Sequence, residues 1–323
     1  MLDIYYPQRN LCIDESMVLW RGRLSFRQYI PNKRHKYGVK FYMLTEPSGT
    51  IIKFLIYTGA LEDFGGVGHA ANVVLHLLHE KLDVGYAIYM DNFYNSYNLA
   101  KQLLDRKTYS TGTLRVNRKN TPKQVTTAKL KAGETVANYA NGVLVAKWRD
   151  KRDVTFISTE FENRLVDYFD KRGNSKSKPL PILKYNENMG GIDRQDQYLS
   201  YYPCHRKTLR WYKKNSIHIF QLLLLNSFFF LYKKYTNPCM SYDFRLNIIK
   251  NLLPEKPVEY SPTVLTHFVS HCPPSAKGKT LRKRCKNCYQ KGLRKDTIYE
   301  CKVCKAGFCL EPCFEEFHRN LTS

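Results

Sequence analysis

The run Tyr86-Ala87-Ile88-Tyr89-Met90-Asp91-Asn92 decides how this chain is read. Five apolar or aromatic residues in a row read as a buried strand, and Asp91 ends it. Far downstream, Asn188-Met189-Gly190-Gly191-Ile192-Asp193-Arg194-Gln195-Asp196-Gln197 puts another acid after two glycines, where a helical pattern opens. Carboxylates at a strand end and at a helix start can converge on one cleft and hold a divalent cation.

Working outward, two strand-like runs, Gly38 to Thr45 and Thr50 to Tyr57, flank Glu46-Pro47-Ser48-Gly49, a turn sequence that predicts a hairpin. Ala71, Val74, Leu75, Leu77 and Leu78 cluster on one side of a predicted helix. The strand ending at Asp91 follows, then a helix near 95–106 and a strand near 109–114. A hairpin followed by alternating helix and strand predicts a mixed α/β sheet. Short β-like runs at 142–148 and 154–158 make residues 115–180 a β-rich insertion, with 170–181 read as a loop. Helical signal resumes at Met189 and continues to about Tyr235. The apolar stretch Ile217 to Tyr232 is shorter than the roughly 20 residues of a membrane span and carries His218, Gln221, Asn226 and Ser227. It reads as a buried core helix, and no membrane partner is expected.

The 323 residues carry a formal net charge of +24 and are long enough for two or three domains. Such a balance favours phosphate backbones as partners, through counterion release. Arg206, Lys207, Arg210, Lys213 and Lys214 crowd together around Trp211 and Tyr212, in a stretch from Gln197 to Tyr242 without one Asp or Glu. We expect that face to contact DNA. The N-terminus has no signal-peptide pattern, so clustered cysteines mean metal rather than disulfides.

Six of the ten cysteines lie between Cys285 and Cys313. The ligand series is Cys285, Cys288, Cys301, Cys304, Cys309, Cys313 and His318. Seven ligands overfill one tetrahedral zinc site and leave two sites one ligand short. His267 is the leading candidate for the eighth, with His271 and Cys272 as rivals. Two zinc ions in a cross-brace, pairing alternate ligand couples, are predicted. Residues 271–323, with twelve Lys or Arg against five Asp or Glu, also suit DNA.

Ile13-Asp14-Glu15-Ser16-Met17 and Arg21-Gly22-Arg23-Leu24-Ser25-Phe26-Arg27-Gln28-Tyr29-Ile30-Pro31-Asn32-Lys33 resemble the entry to the catalytic domain of piggyBac transposases. Lys36-Tyr37-Gly38-Val39-Lys40, Tyr57-Thr58-Gly59, Met90-Asp91-Asn92-Phe93, Gly112-Thr113-Leu114-Arg115-Val116-Asn117-Arg118, Tyr185-Asn186, Gly190-Gly191-Ile192-Asp193 and the cysteine-rich tail extend the resemblance over nearly the whole chain. It implies an RNase H-like fold with a β-rich insertion, plus a small cross-brace zinc-binding domain. The expected parts are 1–37 as the remnant of an N-terminal DNA-binding and dimerisation region, 38–114 and 181–253 as the two parts of the catalytic domain, 115–180 as the insertion, 254–280 as a linker and 281–323 as the zinc domain.

The resemblance further implies aspartates that hold two Mg²⁺ ions and act on double-stranded DNA, at transposon ends and a target site. A homodimer and a nuclear location are compatible with it. Asp91 takes the second catalytic position, Asp193 the third, and Asp196 matches a nearby acid. The first position is assigned to Glu46, where active members carry Asp. Two functions follow. One is a cut-and-paste strand-cleavage and strand-transfer enzyme. The other is a domesticated or degenerate copy that binds DNA without catalysis, to which the longer Glu46 and the short N-terminus point.

Overall fold

β1 (Asn10–Leu19) lies in the segment expected to precede the sheet, yet it is a central strand of that sheet. The computed structural model describes residues 5–31, 33, 35–59, 65–169, 173, 175–204, 206–234, 240–253, 267–275 and 278–319. β2 (Gln28–Tyr29) is a short piece that pairs with β3 (Tyr37–Thr45), and β3 with β4 (Ile51–Ile56) forms the expected hairpin. Its turn is closed by Gly49, whose φ of 99° suits a residue without Cβ. β3 runs antiparallel to β1, with Cys12 opposite Thr45 and Asp14 opposite Met43.

After helix α1 (His69–Leu78), β5 (Ala87–Met90) runs parallel to β1, Ile13 facing Met90. Helix α2 (Tyr97–Asp105) starts where the Ser96 hydroxyl accepts from the Leu99 N–H, an N-cap, and leads to β6 (Tyr109–Thr113), parallel to β5. Residues 10–19 are therefore part of the sheet rather than a segment before it. The two buried runs of β1, Leu11 to Ile13 and Ser16 to Val18, belong to a strand with neighbours on both edges.

The β-rich insertion also joins this sheet. Short helix α3 (Lys123–Thr126) precedes β7 (Thr135–Ala140), β8 (Val143–Arg149) and β9 (Asp153–Ser158), and β9 pairs antiparallel with β6. The sheet runs β2-β3-β1-β5-β6-β9-β8-β7, with β4 on β3. β10 (Leu165–Phe169) and β11 (Ser175–Pro179) form a separate hairpin, so part of the stretch read as the 170–181 loop is a strand. Polar, solvated residues such as Ser175-Lys176-Ser177-Lys178 carry no apolar alternation to announce it.

The expected continuous helix from 189 to 235 is two helices. α4 (Leu180–Asn188) leads into α5 (Gly191–Tyr201), and α6 (Trp211–Lys234) begins only after a break that includes Pro203. α7 (Ser241–Leu252) follows. One face of the sheet packs Leu11, Ile13, Leu44, Ile88 and Met90 against Leu77 and Leu103 of α1 and α2. α6 buries Leu222, Leu225, Phe228 and Phe229, but Phe220 and Leu223 on its other side are exposed, so the core-helix expectation holds for one face only. Its Asn226 amide accepts from the Ile51 N–H and donates to the Ile51 carbonyl, completing the edge of β4. Among the described residues no helix is long and apolar enough to cross a membrane.

The described residues divide into two units, 1–244 and 245–323. Of the linker read at 254–280, residues 254–266 lie outside the described residues. The second unit contains β12 (Val269–His271), β13 (Lys283–Arg284), α8 (Lys286–Gln290), β14 (Asp296–Thr297), β15 (Tyr299–Cys301) and α9 (Cys313–Arg319). β12 pairs with β15 and β13 with β14. Among its described residues Phe308 is the one large side chain that is fully buried, so little apolar core is available to hold it.

Candidate functional site

Register assembles the acids. Ile13 faces Met90, so Asp14 stands at the next step of β1, beside the point where Asp91 leaves β5. Side chains alternate along a strand, so Cys12, Asp14 and Ser16 share one face. α5 lies on that face, because Ser16 Oγ donates to Asp196 Oδ1 at 2.7 Å. A Cβ on Gly191 would stand 2.4 Å from the Glu46 carbonyl oxygen and 2.6 Å from Cys12 Sγ. Only glycine lets α5 start this close to the sheet, and Asp193 follows two residues later, within the first turn of α5.

Burial pushes the Asp14 carboxyl up to about 8, against the pull of the Lys33 ammonium, 3.5 Å away, and with a further push from Glu15. Glu15 is held below its ordinary value. Burial opposes this, but a hydrogen bond with Asp14 and the charges of Lys40 and Lys33 outweigh it. Asp91 is raised by burial, while the Phe93 N–H that it accepts at 2.8 Å works the other way. The Lys33 ammonium stays protonated above its usual range despite burial, because Asp14, Glu15, Asp193 and Asp196 all act on it. Arg115 donates to the Asn92 side chain at 3.1 Å, and the Arg118 guanidinium to the Phe93 carbonyl. Among the described residues no three carboxylates approach within 4.8 Å of one another. Asp14, Glu15, Asp193 and Asp196, hard oxygen donors, all act on the Lys33 ammonium, and the β1–β5 register puts Asp91 beside Asp14. That donor set fits Mg²⁺, which takes few protein carboxylates and keeps waters.

Glu46 is not part of the cleft. It is fully buried, and its Oε1 accepts from the Tyr5 hydroxyl at 2.7 Å and from the Gln8 N–H at 2.8 Å. Its Oε2 accepts from Ser48 at 3.1 Å. Thr45 faces Cys12, so Glu46 is level with Leu11, three residues from Asp14, or about 10 Å along the strand. The acid that stands beside Asp91 is Asp14. The run Leu11-Cys12-Ile13 before Asp14 has the same form as the run before Asp91, and this was the available signal.

Arg206, Lys207, Arg210 and Lys213 are exposed, as a DNA-contacting face requires. Lys214 differs. Burial, and then Arg21, hold its ammonium below the ordinary range, and it lines a cavity of about 140 Å³ with Lys33, His35, Asp196 and His218.

The tail brings all eight expected ligands together in two groups. Cys285, Cys288, Cys309 and Cys313 form one, and His267, Cys301, Cys304 and His318 the other, each within 4.8 Å. The groups interleave along the chain, which is the cross-brace. Cys288 Sγ lies 3.4 Å from Cys313 Sγ and 4.0 Å from Cys309 Sγ. These bracket the ~3.8 Å edge of a tetrahedron with Zn–S of about 2.3 Å. His318 Nδ1 donates to the Phe314 carbonyl at 2.7 Å, which turns Nε2 toward Cys304 Sγ at 3.5 Å. Burial raises the Cys285 thiol, but the N–H groups of Cys288 and Cys309 outweigh it and bring it down to about 7. The rivals of His267 are elsewhere occupied. His271 packs on Tyr299, and Cys272 is a buried thiol outside both groups.

A family model described as Transposase IS4 matches residues 1–228. The chain belongs to that family. It is also similar to piggyBac-derived proteins. It is 26% identical to human PiggyBac transposable element-derived protein 3, over 94% of this chain and 54% of that protein. Human PiggyBac transposable element-derived protein 2 is 24% identical over 61% of this chain and 36% of its own length. The chain thus spans about half or less of the curated relatives it matches. A solved piggyBac transposase synaptic complex with hairpin DNA superposes with a TM-score of 0.67 at 26% identity, covering 95% of this chain and 68% of that one. The mixed α/β fold expected from the sequence is the fold of this transposase family.

Proposed function

We propose that this chain acts on double-stranded DNA by metal-dependent phosphoryl transfer, with Asp14, Asp91 and Asp193 as Mg²⁺ ligands and Asp196 beside them. The observation that carries the reading is the parallel β1–β5 register, which sets Asp14 next to Asp91 on the side where α5 begins. The chemistry such ions supply when bound is activation of a water or 3′-hydroxyl and stabilisation of the leaving oxygen. Ser16 orients Asp196. Arg115 and Arg118, braced on the Asn92–Phe93 segment, supply positive charge for a phosphate next to Asp91. One of the two grounds for a degenerate copy was Glu46, which is buried against Tyr5, Gln8 and Ser48 and lies about three residues from Asp14 along the strand. The binder-only reading loses that support.

The tail is proposed to hold two structural Zn²⁺ ions and to contribute to recognition of transposon-end DNA. Synapsis of two ends would call for at least two copies of the chain, and the reading carries a nuclear location with it.

The test is a strand-cleavage assay with Mg²⁺ or Mn²⁺ on duplexes bearing the ends of the chain's own element. We expect Asp14→Asn and Asp91→Asn each to lower cleavage by about a hundredfold or more. Glu46→Gln should retain it per folded molecule. DNA binding without metal-dependent cleavage would reverse the choice. Neutralising Arg206, Lys207, Arg210 and Lys213 should flatten the salt slope of duplex binding by about three to four. An unchanged slope would show that these four do not meet phosphate.

A further inference from the structure

Lys33 sits on the loop between β2 and β3, in a turn where its N–H donates to the Ile30 carbonyl at 3.3 Å. Its side chain is 21% exposed, and that of its partner Asp14 is 18% exposed. A lysine so covered pays for desolvation unless anions surround it. Here they do: Asp14 and Glu15 come from β1, Asp193 and Asp196 from α5. The 3.5 Å separation from Asp14 is longer than the roughly 2.7–2.9 Å of a tight charge-assisted contact. The ammonium therefore contacts Asp14 loosely, while Glu15, Asp193 and Asp196 act on it as well. Its carrier is a loop and a four-carbon stem, which can withdraw without moving a strand or a helix.

We propose that Lys33 is a tethered counter-ion of the acid cleft, which holds the carboxylates of β1 and α5 together before a divalent ion binds and competes with that ion for Asp14. The inference rests on the metal-binding reading above. The like charges of the cleft repel one another unless a cation lies between them. A residue supplying that cation from a loop keeps the cleft assembled, at a cost in metal affinity. Lys40, whose ammonium lies over the rings of Tyr42 and Phe93, acts on Glu15 as well, but it is Lys33 that acts on Asp14.

The experiment titrates the zinc-loaded full chain with Mn²⁺ and follows free Mn²⁺ by EPR, with the melting temperature of the divalent-free protein measured alongside. Lys33→Met should bind Mn²⁺ about tenfold more tightly, a modest share of the interaction between unit charges about 4 Å apart. It should also melt lower without Mn²⁺ and recover when Mn²⁺ is added. Lys33→Arg keeps the charge and should bind Mn²⁺ no more tightly than the parent. If wild-type binding is lost in Asp91→Asn but Lys33→Met binds with unchanged or weaker affinity, the counter-ion role is overturned and the metal reading stands. Tightening in both Lys33 variants would also overturn it, because charge would then not be the cause. A wild-type chain that binds no Mn²⁺ in an Asp91-dependent way would overturn both readings.

Discussion

The two units solve the same problem, holding chemically expensive groups together, in opposite ways. In residues 1–244, buried strands and a large apolar cluster set the register first, and the acids are carried along by it. In residues 245–323 the ligands themselves are the core, with four buried cysteines forming a cluster of their own. A site built on packing should tolerate loss of its metal. A fold built on ligands should not.

Chelation gives the largest contrast. Zinc binding to such sites amounts to about 10–16 kcal/mol of folding free energy. Prolonged treatment of the full chain with a strong chelator should expose the 267–319 region to limited proteolysis. All three tryptophans, Trp20, Trp148 and Trp211, lie in the first unit, so their fluorescence should report an unchanged melting transition there. A tail that stays protease-resistant without metal would erase the distinction.

Acid sharpens the comparison within the packed unit. His218 is pushed down to about 4, chiefly by burial and further by His35, and its Nε2 has no hydrogen-bond partner among the described residues. A depressed histidine pKa means that the unfolded chain takes up the proton first. The stability is present above the ordinary value near 6.5 and is lost as pH falls from there toward 4, by up to about 3 kcal/mol. Urea midpoints read by tryptophan fluorescence should fall over that window in the parent and much less in His218→Gln.

Gly191→Ala should come next. Its Cβ would press on the Glu46 carbonyl, which a strand end cannot move cheaply. A loss of about 1–3 kcal/mol is expected in the first unit, together with weaker Mn²⁺ binding, because Asp193 is displaced with the helix start. An unchanged Mn²⁺ affinity would show that α5 adjusts without moving the acid. The smallest effect should come from the exposed pair of Asp83 and Arg106. Asp83→Asn should leave the melting temperature within error, since solvent screens the charges.

How much was legible follows the range of the interaction. The hairpin of β3 and β4, α1, β5, α2 and β6 were read within one or two residues, because periodicity, turn residues and end signals are local. The strands of the insertion were read in part, β8 and β9 from their apolar runs, β10 and β11 not at all. The tail was the most legible site. CxxC spacing is chemistry written in one dimension, and only the eighth ligand needed space to choose His267 over His271 and Cys272.

Two strand-end acids show where reading from sequence stops. Both Glu46 and Asp91 follow an apolar strand, and by sequence they are equivalent. They differ in strand direction. β3 runs antiparallel to β1, so its last residue lies level with the start of β1. β5 runs parallel, so its last residue lies level with Asp14. Sequence by itself determined that this chain carries strands ending in acids, a glycine-led helix, a basic surface and seven clustered side chains of metal-ligand type, because residue type and spacing carry those facts. Which acids share a cleft was decided only by the tertiary structure. Strand order and direction arise from long-range pairing and burial, and no local pattern encodes which way a neighbouring strand will run.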